Sequence, residues 1–399
     1  MIDLIKILFT FVLIVLLLRR RWNLGAVMLL ASAFLGALYM IGPLEQGRVF
    51  IRSCFDPVTL TLLGGLLLIM VLENVIRKRG LLALMTASLS RIARDRRITM
   101  AVLPGVIGLL PSAGGAQFSA PMVQEAAGDA DISPEQRAFI NYWFRHIWEY
   151  ISPLYPGIVL AAAVTKLPLN TLLFSQLPLP LAVVGVGALL AFRGVPGGGD
   201  HPPRDRKDLR DLFLSTLPIT ASIVLVVGFH LNLALSMTLI VIALFAFYRY
   251  SPKEIQVALK ESLSLNIVLM VVGIMVFKGM LDASGAIEAL PAFFEQSGLP
   301  HIVVLFTLPS LVGLLTGLTV GFVGSTFPLV VAMYGGHPDP SAVTFAFASG
   351  FLGVMLSPTH LCYVLTLRYF KADVAQTYRL LYLPSALVFL AGLAVFLVR

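Results

Sequence analysis

Residues 141–157 read NYWFRHIWEYISPLYPG, and the reading of the whole chain turns on them. They lie in the apolar run from Gln136 to Thr165, long enough to cross a bilayer at about 1.5 Å per helical residue. Yet the run carries Arg145, His146 and Glu149, and Ser152-Pro153 interrupts it. Proline removes a backbone donor and frees a carbonyl one turn earlier, so the helix is expected to open near Tyr150 to Ser152. Open backbone at membrane depth is tolerated only when it is buried in protein or lines a wet cavity.

Composition supports a membrane setting. Of 399 residues, 58% are hydrophobic and 13% charged, with a mean hydropathy of +0.90. Soluble folds carry about a quarter charged residues, which excludes that class. The net charge of +8 could suggest nucleic acid, but the basic residues gather in short loops between apolar runs, so no nucleic-acid partner is expected. Arg19, Arg20 and Arg21 follow the run Ile2 to Leu18 where a signal peptide would show small residues, so that run is expected to remain as a helix.

The predicted fold class is an all-α polytopic membrane protein. Runs of spanning length cover Ile2 to Leu18, Trp22 to Gly42, Val58 to Ile76, Gln136 to Thr165 and Leu169 to Phe192 in the first half. Leu212 to Gly228, Leu231 to Phe247, Leu263 to Leu281, Ala342 to Leu367 and Thr377 to Val398 follow, making about ten spans. Two further stretches, 98–127 and 301–333, are interrupted midway by PSAGGA at 111–116 and TGLTVG at 316–321. Each half-stretch is too short to cross, so both are expected to be re-entrant hairpins, the first cytoplasmic and the second external. Both termini then lie outside, and 22 of the 29 Lys and Arg residues fall on the internal side.

Residues 193–211 form a Gly-, Pro- and charge-rich linker near the midpoint. Sliding the chain by 205 positions pairs Leu103-Pro104 with Leu308-Pro309, Gly108-Leu109-Leu110 with Gly313-Leu314-Leu315, Ser152-Pro153 with Ser357-Pro358, and Gly80 with Gly285. Residues 1–192 and 212–399 are therefore expected to be two repeats, inverted because each has an odd number of spans. Leu81 to Arg94 and Ala286 to Gln296 are expected as interfacial helices, and Ser251 to Glu261 as a surface helix.

Irregular backbone at two tips and two breaks points to transport. Asn141, Arg145, Glu149 and Ser152 fall on one helical stripe that ends at the break. Buried charge is costly and marks function by default. Arg145 either grips an anion in bidentate fashion or is neutralised by Glu149 one turn away. His146 sits beside the stripe, in a position suited to carrying a proton or bonding a freed carbonyl. The tips contribute Ser112, Gly114, Gly115 and Gln117, then Thr316, Thr319, Gly321, Ser325 and Thr326, and the second break contributes Thr359 and His360. Glu73 and Lys278, also 205 apart, are expected to form a structural ion pair inside the membrane. Cys54 and Cys362 stand far apart with no CxxC, so neither a disulfide framework nor a metal site is expected. No HExxH or GxSxG is present, so an enzyme is not expected.

The runs LPSAGGAQFSAPMVQEA (110–126) and NYWFRHIWEYISPLYPGIVLA (141–161) resemble an uncharacterised prokaryotic integral membrane family. That family is placed in the ion transporter superfamily with divalent anion:sodium symporters and citrate carriers. The resemblance implies an elevator-type carrier in the cytoplasmic membrane, a homodimer, moving a small organic anion such as a carboxylate with Na⁺ or H⁺ and using no other cofactor. By position, Ser112, Gly114 and Ser152 would hold one cation and Thr316, Thr319 and Ser357 the other. The alternative on the same scaffold is a cation/proton antiporter titrating Glu149 and His146, with a channel or intramembrane enzyme more remote.

Overall fold

The computed structural model describes residues 2–93, 95–111, 115–198, 205–285 and 300–398. The expected interfacial helix at 286–296 lies outside the described residues. Apolar runs between polar caps give helices throughout. They begin with α1 (Ile2–Arg19), α2 (Leu24–Leu38), α3 (Pro43–Cys54), α4 (Pro57–Lys78), α5 (Leu81–Ile92), α6 (Arg96–Ile107) and α7 (Gly115–Ala127). Then come α8 (Pro134–Arg145), a 3₁₀ turn (Ile147–Tyr150), α9 (Pro156–Thr165), α10 (Leu169–Gln176), α11 (Pro178–Leu190), α12 (Arg206–Ile223) and α13 (Leu233–Phe247). The chain continues through α14 (Pro252–Ser262), α15 (Leu265–Ala283), α16 (His301–Thr316), α17 (Thr319–Met333), α18 (Pro340–Met355), α19 (Leu361–Phe370) and α20 (Val374–Leu397). The described structure is all helical, and five stretches are long and apolar enough to cross a membrane: 57–78, 169–190, 206–228, 265–283 and 374–397.

Aromatic side chains fill the centre. Phe139, Tyr142 and Trp143 of α8, Phe322 and Phe327 of α17, and Phe345, Phe347 and Phe351 of α18 are almost fully buried. Leu181, Phe213, Ile242 and Leu383 on outer helices are exposed, as a lipid-facing surface requires. Small residues let backbones meet: a Cβ on Gly25 of α2 would lie 2.2 Å from the Leu269 carbonyl oxygen of α15.

Four features depart from the sequence reading. The amphipathic helix α3, started by Pro43 at its first turn, occupies a stretch expected to be a loop. The expected linker ends early, because Asp205 and Asp208 form a capping box that starts α12 at Arg206, and Asp208 is held by Arg91 of α5 at 2.7 Å. The α-helical part of the first broken run stops at Arg145, not near Tyr150, since a tight turn takes over. Glu73 and Lys278 do not pair. Helices α4 and α15 lie antiparallel, with Asn74 bonded to Glu261 and Ser262 just before α15 begins. Glu73 therefore sits near one end, 3.9 Å from Arg77, and Lys278 near the other, in a cavity with Asp56, Lys166 and Asp282.

Candidate functional site

Both Ser-Pro dipeptides lie in non-α-helical segments, at 146–155 and 356–360. In the first, the 3₁₀ turn carries Glu149 past the end of α8, Ser152 Oγ accepts from the Leu154 amide at 3.3 Å, and Pro156 starts α9. In the second, α18 stops at Met355, and α19 resumes at Leu361 with His360 as its N-cap. Carbonyls released at these ends are satisfied by side chains. Tyr142 donates to Met355 O at 3.1 Å and Tyr378 to Leu356 O at 3.2 Å. Trp148 donates to Gly105 O at 2.8 Å and Tyr155 to Gly108 O at 2.5 Å, both at the end of α6.

The two breaks meet. His146 Nε2 and His360 Nε2 are 3.2 Å apart, with Tyr142 edge-on to both rings. The turn between α16 and α17 closes the same region. Gly317 there has φ +61°, and a Cβ on it would lie 2.7 Å from the His360 nitrogen, so glycine is required twice over. Thr319, first residue of α17, donates to Glu149 Oε2 at 2.8 Å, while Ser357 donates to Leu314 O at 2.7 Å. The region thus gathers the C-terminal ends of α6, α8, α16 and α18 and the N-terminal ends of α9, α17 and α19. Such ends favour cations and anions respectively.

Most of the residues expected at the site are gathered here: Arg145, His146, Glu149, Ser152, Thr316, Thr319, Ser357, Thr359 and His360. The continuous stripe is not preserved, because the tight turn re-aims Glu149. Among the described residues its carboxylate accepts from Thr319, with His146 Nε2 at 3.7 Å. Asn141 lies deeper and donates to Thr366 of α19 at 3.0 Å. Ser325 and Thr326 are buried within α17, beyond the tip, each bonded back to its own helix at 2.7 Å. Gly115 opens α7. Ser112, Gly114 and the Gln117 side chain lie outside the described residues.

The sequence reading set Cys362 aside as no part of a metal site. It lies two residues after His360, and its sulfur and the ligand nitrogens of His146 and His360 all fall within 4.8 Å of one another. The His-x-Cys spacing was the available signal, and only the meeting of the breaks adds His146. Two large cavities, about 740 Å³ beside Lys278 and Asp282 and about 840 Å³ beside Arg91 and Arg96, lie away from this cluster.

The family described as "Protein of unknown function (DUF401)" matches residues 2–399. The chain belongs to that family. This agrees with the expected resemblance to an uncharacterised family, and the helical, apolar fold marks a membrane protein. No curated protein matches the chain.

Proposed function

We propose that the chain is a secondary active transporter whose substrate and coupling ion bind where its two broken helices meet. The observation that carries this reading is the cluster of Arg145, His146, Glu149, Thr319, Ser357 and His360 at paired helix breaks inside an apolar bundle. Charged and polar groups at such depth are expensive and are kept for what they bind. A small organic anion, a carboxylate above all, suits Arg145 together with the amide ends of α9 and α19. Na⁺ or H⁺ suits the hydroxyls and Glu149.

We further infer two inverted repeats. Left-handed residues recur at related positions: Gly80 with Gly285 and Lys166 with Lys371 are 205 apart, and Arg21 with His230 and Met40 with Arg249, nearer the start of each half, are 209 apart. A Cβ on Gly108 would lie 2.0 Å from Arg145 O, and one on Gly313, 205 residues later, 2.1 Å from Gly350 O. Membership of the ion transporter superfamily, external termini, two re-entrant hairpins and a homodimer working as an elevator in a prokaryotic cytoplasmic membrane belong to the same proposal. Proteoliposome uptake of labelled carboxylates tests it. Arg145→Ala should abolish uptake or raise the half-saturating concentration about tenfold or more, the value of a charge-assisted contact. Uptake with unchanged affinity would remove Arg145 from the substrate.

A second reading, cation/proton exchange, is favoured by the run of titratable groups Glu149, His146 and His360, spaced by 3.7 and 3.2 Å. Proton movement driven by a Na⁺ gradient with no organic solute would select it.

A further inference from the structure

We propose that His146, His360 and Cys362, with Glu149 beside them, form a binding site for one transition-metal ion of Zn²⁺ type. The ligand set is a pair of imidazoles and a thiolate, which suits Zn²⁺ and its neighbours rather than Na⁺ or Mg²⁺. The spacing also suits it. Ligands about 2.0–2.3 Å from a tetrahedral ion stand roughly 3.3–3.8 Å from one another. The two Nε2 atoms are 3.2 Å apart, and the whole set lies within 4.8 Å, so modest side-chain rotation closes the site.

The second observation is the support behind His146. Its Nδ1 lies 2.5 Å from the Tyr142 carbonyl, which can only accept, so Nδ1 carries the proton and the Nε2 lone pair faces the cluster. A metal-ligating histidine is held this way, its other nitrogen donating to a backbone carbonyl. Without an ion, the Nε2 contact needs one proton, supplied by His360. That leaves His360 Nδ1 a buried lone pair with no hydrogen-bond partner among the described residues. With an ion, both Nε2 lone pairs point at the metal and the His360 proton moves to Nδ1. The Cys362 thiol proton goes to solvent, and Glu149 Oε1, 3.7 Å from His146 Nε2, supplies a fourth ligand. Thiolate and carboxylate balance the divalent charge, and Tyr142 and Phe351 wall the imidazoles. The site stands whether or not the chain transports anything.

The test uses the full chain, purified in detergent without a histidine tag and stripped with a chelator. Cobalt(II) is titrated in, and metal content is measured after gel filtration. We expect one ion per chain and a thiolate-to-cobalt charge-transfer band. The band should survive Cys54→Ser, vanish in Cys362→Ser, and need about tenfold or more metal in His360→Ala, the scale of losses at metal sites. Because either site variant could fold poorly, the Cys54→Ser chain is also alkylated with N-ethylmaleimide. Zn²⁺ should slow modification of Cys362 about tenfold or more. Absence of stoichiometric binding, a band that persists in Cys362→Ser, or alkylation indifferent to Zn²⁺ would each overturn the proposal. A failed uptake assay would not.

Discussion

Thr319→Val is the most informative single change at the meeting of the breaks. It keeps the shape of the side chain and deletes the hydroxyl that donates to Glu149 Oε2 at 2.8 Å, a contact joining residues 170 positions apart. A hydrogen bond to a charged group contributes about 1.5–3 kcal/mol, with the lower half expected here because the contact is only partly buried. Unfolding entropy of about 2.1 cal/mol/K per residue over 399 residues gives roughly 0.8 kcal/mol/K, so Tm should fall by about 2–3 °C. The assay is thermal unfolding in detergent, run as a cycle with Glu149→Gln. Against a neutral amide the same deletion should cost only about 0.5–1.5 kcal/mol, leaving a coupling of roughly 1 kcal/mol. Strict additivity, or no shift in Thr319→Val, would refute the view that an anionic Glu149 is held from α17.

Gly317→Ala and Gly80→Ala separate backbone strain from crowding. Both sit at positive φ, but only at Gly317 does the new Cβ meet backbone, 2.7 Å from His360 N, whereas Gly80 has nothing within 4 Å. Gly80→Ala should cost about 1 kcal/mol and Gly317→Ala about 1–3 kcal/mol more in the same melting assay, and equal losses would contradict this. On the polar side of the fold, hydrogen bonds from Lys78 and Asn74 hold the Glu261 carboxyl below the usual range. A lowered value stabilises fully above the unfolded pKa, about 4.3, and that gain disappears as pH falls through the folded value. Lys78→Met should therefore lower Tm at neutral pH and low salt and have no effect in acid; a loss that persists unchanged in acid would show that charge is not the cause. Ser251→Ala should lower stability by about 1 kcal/mol, read as loss of helix at 252–262 or a lower Tm, since Ser251 caps α14 and no described contact replaces it.

Much of the helical order was legible because apolar length is a strong signal. The runs at 57–78, 265–283 and 374–397 are long and lack interior breaks, so their helices fall within a few residues of the reading. The Ser-Pro breaks were legible because proline removes a backbone donor and favours an opening one turn earlier, although Pro218 and Pro384 lie inside continuous helices. The sequence did not reveal where α8 ends, because that depends on α6 crossing it: Gly108 leaves room only for Arg145 O, and Trp148 turns aside to Gly105 O. Glu73 and Lys278 misled because equal repeat positions say nothing about which end of an antiparallel pair each occupies. Cys362 was set aside for a related reason. One of its neighbours, His146, is 216 positions away, and only the meeting of the two breaks brings them together.

The proposed function is that a small anion and a coupling ion bind together at the paired breaks. Its most direct test is thermal stabilisation of purified wild-type chain and Arg145→Ala across carboxylates, phosphonates and amino acids, each with Na⁺ or choline at two pH values. A ligand at about 100 times its Kd adds roughly 2.7 kcal/mol to the folded state, enough to raise Tm by several degrees. A carboxylate is expected to stabilise the wild type only with Na⁺ or at one pH, and not Arg145→Ala. Stabilisation by no anion, or by the same anion equally in both chains, would contradict it.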